Sequence, residues 1–110
     1  MYLSKMNNRP LNKKIIYSEL QKHKSTLEQF GVKQIGLFGS FVRDEGTDKS
    51  DIDFLVDFEP GKKTFDNLMD LAFFLEDLFQ RKVEVLTRQG LSPYIGPHIL
   101  KTLENVPLAG

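Results

Sequence analysis

Apolar positions return along this chain with two different periods, and the periods divide it into helices and strands. Ile15, Ile16, Leu20, Leu27 and Phe30 recur at helical spacing with lysines between them, so a helix capped by Asn12 is expected to run to about Phe30. Gly31 follows as its stop. Val32 to Phe38 (VKQIGLF) is short and apolar and predicts a strand. Gly39-Ser40 breaks it, Phe41 to Glu45 reads as a short helix, and Gly46 to Ser50 as a polar loop. From Asp51 to Phe58 (DIDFLVDF) the period becomes two: Ile52, Phe54, Val56 and Phe58 share one face, and Asp51, Asp53, Leu55 and Asp57 the other.

After a turn at Glu59-Pro60-Gly61, Thr64 to Gln80 is a strongly apolar helix. Phe73 in particular is expected in its core face; the alternative is a phenylalanine-rich surface offered to a partner. Val83 to Thr87 (VEVLT) predicts a third strand. Ser92-Pro93 has the form of a cap followed by a first-turn proline, opening a last helix that runs to about Asn105 with an interruption near Gly96-Pro97. Residues 1–8 read as a loose start. The order α-β-α-β-α-β-α predicts an α/β (α+β) domain: a small mixed central sheet of three to four strands flanked by helices, with 1–110 as a single unit.

Composition agrees with a globular chain of 110 residues, 40% hydrophobic and 27% charged. With no cysteine, disulfides and thiolate metal sites are excluded, and a reducing cytoplasm is the expected compartment. No apolar run reaches the roughly 20 residues that cross a bilayer, and the first residues carry lysines without an apolar core, so neither a membrane span nor a signal peptide is expected. The net charge of zero hides an asymmetry. Met1 to Lys33 holds seven Lys/Arg against Glu19 and Glu28, while Asp44 to Glu84 carries most of the acids. That division suits a metal-loaded acidic site; a solvated helix face beside unrelated acidic loops explains it equally well.

Strand alternation turns the acids into candidate chemistry. Asp51 and Asp53 are two apart and point the same way, with Cα atoms roughly 6.5–7 Å apart. Paired carboxylates at that distance can converge on a hard cation, and without one they repel. D-x-D alone is more often a solvent-facing strand. Three aspartates in a strand whose other face is wholly apolar are less easily explained so. Gly39-Ser40, between a strand and a short helix, can bring backbone N–H groups and a hydroxyl close to a phosphate, or can be a plain turn. Glu84, alternating with Val83 and Val85, projects from the polar face of its strand. Beside the Asp51–Asp53 strand it would complete a metal shell or act as general base; otherwise it is an exposed strand glutamate. Arg43 can reach a bound phosphate or pair with Asp44 or Glu45. His23 and His98 are isolated and receive no role.

Taken together, GSFVRDEGTDKSDIDFLVDF (Gly39 to Phe58) resembles the signature of the DNA polymerase β-like nucleotidyltransferase superfamily: a G-S turn, a spacer of about ten residues, then D-x-D. Length and element order are similar to those of its minimal nucleotidyltransferase (MNT) group, the antitoxins paired with HEPN-domain toxins. RKVEVLT corresponds to that group's third strand and LSPYIGPHILKTLENV to its closing helix. The resemblance implies that Gly39 and Ser40 hold a triphosphate, with Arg43 matching an arginine frequent after the turn. It implies that Asp51 and Asp53 bind Mg2+, and that Glu84 is the third carboxylate and metal ligand. Aspartate is usual at that last position; glutamate keeps the charge and adds a methylene, which shifts its reach.

Three functions follow from these expectations. The first is transfer of AMP from ATP to a tyrosine of a HEPN ribonuclease toxin. The second is a catalytically weak or inactive MNT protein that neutralises the toxin by binding alone. The third is nucleotidyl transfer to a small molecule or to RNA. The basic first helix (Lys13, Lys14, Lys22, Lys24) has only Tyr17 as an interleaved aromatic, so direct nucleic-acid binding is not expected. Association with the toxin or with further copies is left open.

Overall fold

The computed structural model describes residues 10–108; the start at residues 1–8 lies outside them. Its elements are α1 (Lys13–Lys22), α2 (Lys24–Gln29), β1 (Val32–Phe38), β2 (Ile52–Phe58), α3 (Phe65–Phe79), β3 (Val83–Thr87), a 3-10 turn (Arg88–Gly90), α4 (Gly96–Thr102) and β4 (Glu104–Asn105). The four strands form one mixed sheet in the order β3-β2-β1-β4. β1 runs antiparallel to β2 and β4, and β2 runs parallel to β3, with α3 as the crossover.

The helix starts follow their caps. Asn12 Oδ1 accepts from Ile15 N–H at 2.9 Å, and Thr64 Oγ1 from Asn67 N–H at 3.1 Å, each satisfying an otherwise orphaned donor of a first turn. The helix expected from Asn12 to Phe30 is divided at His23, whose backbone leaves helical geometry (φ −109°, ψ 25°). Its Nδ1 lies 2.8 Å from Glu19 O, and its ring meets Phe74 edge-on. α3 ends at Gln80 in the left-handed conformation (φ 53°), a helix-stopping geometry.

Three expectations are corrected. Phe41 to Glu45 is a turn and not a helix. Ser40 O accepts from both Arg43 N–H (3.1 Å) and Glu45 N–H (2.9 Å), and Asp44 takes a positive φ of 57° that no helix continues through. The last helix does not start at Ser92 or reach Asn105. Ser92 Oγ instead holds a turn, accepting from Ile95 N–H at 3.0 Å, and α4 spans only Gly96–Thr102. Glu104–Asn105 becomes β4, pairing with Gly36 and Leu37, and Val106 N–H donates to Ile35 O at 2.9 Å. β1 would otherwise be an edge strand with unpaired backbone groups. Two residues of strand leave no period to read, so the sequence pattern could not show it. Phe73, finally, is 60% exposed, and it is Phe74 that packs into the core, against Phe30.

The sheet has two unlike faces. Ile35, Leu37, Ile52, Phe54, Val56 and Val83 turn toward α1, α2 and α3 and form the main core with Ile16, Leu20, Leu27, Leu71, Leu75, Leu78 and Phe79. A smaller cluster, Phe38, Leu55 and Ile99 with Leu86, Leu91 and Leu103, lies on the opposite face beneath α4. α4 covers that face at Leu55 and Leu86. By alternation, Asp53 and Glu84 stand on the same face one step toward the N-terminal ends of β2 and β3. Among the described residues no helix is long and apolar enough to cross a membrane.

Candidate active site

The parallel pairing of β2 with β3 settles where Glu84 lies. Asp53 and Glu84 are directly opposite each other in register, so two carboxylates from strands roughly 4.8 Å apart share one face. Asp51 precedes the first residue of β2 and is exposed, while Asp53 is half-buried. The Asp53 carboxyl is pushed up to about 6, first by burial and then by the negative charges of Glu84 and Asp51, with Arg43 pulling the other way. Both neighbouring acids therefore act electrostatically on Asp53. The third aspartate of the strand, Asp57, is taken by Arg88 at 3.2 Å and belongs to the scaffold.

The Gly39-Ser40 turn is built against this pair. Phe38 is the register partner of Asp53, so the chain leaves β1 beside that carboxylate. Gly39 has φ 80°, and a Cβ there would collide with the Asp53 side chain. Glycine is needed on both counts. Ser40 is half-buried, its carbonyl holds the following turn, and among the described residues its hydroxyl has no partner. Arg43 donates from Nε to Glu45 Oε1 at 2.8 Å. Exposed ion pairs of this kind are worth little, so a phosphate could displace Glu45 at small cost.

The acids suit a hard divalent cation: Asp53 and Glu84 stand on one face, with Asp53 half-buried among like charges and the exposed Asp51 just ahead of β2. Among the described residues no group of three or more acidic or imidazole side chains stands close enough together to hold a metal ion, so the pair Asp53 and Glu84 is what the sheet itself brings together. An open set suits Mg2+, which keeps waters and takes phosphate oxygens alongside one or two carboxylates.

One residue of this region was not singled out from the sequence. Arg81, between α3 and β3, donates from Nη1 to Thr47 O at 2.8 Å and Ser50 O at 2.9 Å, and lies 5.3 Å over the Phe41 ring. The only signal was a basic residue just before the third strand, which spacing does not distinguish from a solvated charge.

Comparison with known proteins identifies the family. Residues 18–106 match the nucleotidyltransferase domain family. The protein adenylyltransferase MntA of Thermococcus cleftensis is 40% identical over 89 residues, covering 78% of this chain and 87% of that protein. MJ0435 of Methanocaldococcus jannaschii, named a candidate protein adenylyltransferase, is 38% identical over 101 residues, covering 92% of this chain and 99% of its own. Among solved structures, a candidate minimal nucleotidyltransferase superposes with a TM-score of 0.73 at 26% identity, over 86% of this chain and 95% of that one. A chain from a toxin–antitoxin complex with AMP-PNP has the same fold, with a TM-score of 0.63 at 18% identity over 78% of this chain and 71% of that one. The chain belongs to the nucleotidyltransferase family, and its class of chemistry is nucleotidyl transfer.

Proposed function

We propose that this chain is a protein adenylyltransferase that works as an antitoxin, moving AMP from ATP to a tyrosine of a HEPN ribonuclease toxin in the cytoplasm. The observation that carries the reading is the Asp53–Glu84 pair facing the Gly39-Ser40 turn. Relatives named as protein adenylyltransferases support a protein as acceptor, and the fold shared with a toxin–antitoxin complex supports a toxin as partner.

Asp51, Asp53 and Glu84 would hold Mg2+, which when bound supplies neutralisation of the triphosphate's negative charge. Gly39 N–H and the Ser40 hydroxyl bind phosphate oxygens, and Arg43 exchanges Glu45 for the same anion. Glu84 accepts the proton of the tyrosine hydroxyl. The phenolic oxygen then bonds to the α-phosphorus as the bond from that phosphorus to the bridging oxygen breaks, and pyrophosphate leaves with the electron pair. The residues contribute position and charge, and no covalent enzyme intermediate is needed.

Incubation with ATP labelled at the α-phosphate, Mg2+ and the toxin encoded beside this chain tests the reading. Label should appear on the toxin, be lost with Asp53→Asn, and disappear when the acceptor tyrosine is replaced by phenylalanine. An unlabelled toxin in the wild-type reaction would overturn it. A second reading, neutralisation by contact alone, draws on the exposed Phe65 and Phe73 of α3. It requires an Asp51→Asn, Asp53→Asn double variant to neutralise the toxin as well as the wild type does.

A further inference from the structure

Asp51 lies outside the ladder that fixes Asp53. It follows the loop from Gly46 to Ser50, so its place depends on what holds that loop. Inside the loop the bonds are local: Thr47 N–H donates to Ser50 Oγ at 2.9 Å, Ser50 N–H to Thr47 O at 3.1 Å, and Lys49 N–H to Thr47 Oγ1 at 3.2 Å. These bonds shape the turn but do not attach it to the sheet.

Two contacts with the start of β3 do attach it. Ile52 N–H donates to Lys82 O at 3.2 Å, and Arg81 Nη1 takes the carbonyls at both ends of the turn, Thr47 O at 2.8 Å and Ser50 O at 2.9 Å. The same guanidinium lies over Phe41, a buried ring in the turn that follows Gly39-Ser40. Arg81 is also three residues before Glu84. One side chain thus joins the segment after the G-S turn, the loop leading into Asp51 and the strand bearing Glu84. A planar fork of donors on a stacked ring suits that role; an ammonium on a flexible stem does not reproduce it.

We propose that Arg81 is a positioning residue of the site, clamping the Thr47–Ser50 turn so that Asp51 stands in register with Asp53 and Glu84 for a divalent cation. The proposal rests on the reading of those three carboxylates as the cation's ligands. Its effect is expected on metal affinity, because groups that orient metal ligands commonly change affinity 10- to 100-fold when removed.

The test measures binding of Mn2+ to the full chain, by its electron paramagnetic resonance signal, with a non-hydrolysable ATP analogue present. Arg81→Ala and Arg81→Lys should each weaken Mn2+ binding by about 10-fold. Tyr17→Phe is the control for a purely structural loss: it removes the 2.7 Å hydrogen bond to Glu104 at the β4 edge and should leave Mn2+ affinity unchanged. In the AMP-transfer assay, the Arg81 variants should need about 10-fold more Mg2+ for half-maximal rate and recover near wild-type kcat at saturation. Wild-type Mn2+ affinity in Arg81→Ala would overturn the clamp, whatever happens to its Tm. Full rescue by Arg81→Lys would also overturn it, since charge alone would then suffice; should Arg81→Ala not fold, Arg81→Lys carries the test. If wild-type binding of Mn2+ is no better than that of an Asp51→Asn, Asp53→Asn variant, the reading of the carboxylates fails, and the clamp with it.

Discussion

The two faces of β2 carry the same backbone and opposite chemistry. On one face Ile52, Phe54 and Val56 are fully buried against α1–α3. On the other, Leu55 is buried under α4 while Asp53, one step away, is only half-buried and faces Glu84. The first face lowers the free energy of the fold by removing apolar surface from water. The second raises it, because like charges are held together in a partly desolvated place. Such a face is a local loss of stability, and the cation and phosphate binding proposed for it would account for its being tolerated.

Substitutions on the two faces should therefore move stability and activity in opposite senses. Asp53→Asn should lower AMP transfer by on the order of 10³-fold, the scale of losing one electrostatic contributor to a phosphoryl-type transition state, while its circular dichroism stays that of the wild type. Phe54→Ala should cost about 3–5 kcal/mol in urea unfolding, because a fully buried ring leaves a cavity in the main core. If it costs less than ~1 kcal/mol, the contrast between the faces is wrong.

The pH dependence sharpens the same comparison. Asp53 is raised from 3.8 to about 6. Its contribution to stability is therefore present below about pH 4 and is lost as pH rises through about 6. Asp53→Asn should match the wild type below pH 4 and exceed it at pH 7.5 by about 1 kcal/mol, once solvent screening of a half-exposed group is allowed for. Thermal unfolding of the metal-free protein at the two pH values checks this. Mg2+ with an ATP analogue should raise the wild-type Tm more at pH 7.5 than at pH 5, where the ion competes with a proton on Asp53. The smallest effect is expected on α3. Phe73→Ser should change stability by less than about 0.5 kcal/mol, because Phe73 is 60% exposed, whereas Phe74→Ala should cost more, through lost packing against Phe30 and His23.

The faces also mark where reading the chain succeeded. Val32–Phe38 and Val83–Thr87 fall where their apolar runs predict, and α3 lies within its caps. A period of two or 3.6 sustained over several residues is a local property, and burial of one face enforces it. Phe73 and Phe74 show the limit. Adjacent apolar residues on a helix differ by 100°, and the positions of Phe30 and His23 decide which of them is covered.

From its sequence alone this chain determined β1, β2 and β3, the Asn12 cap, the alternation that turns Asp53 away from the main core, and a glycine at the turn before it. All of these depend on residues near one another, where backbone sterics and side-chain period act directly. Tertiary structure decided the rest. β3 pairs beside β2 in the register that sets Glu84 opposite Asp53, Glu104–Asn105 closes the edge of β1, and Arg81 reaches back 31 and 34 residues to the turn before Asp51. Contacts across such separations depend on how whole elements pack, and no local pattern encodes which partner will be met.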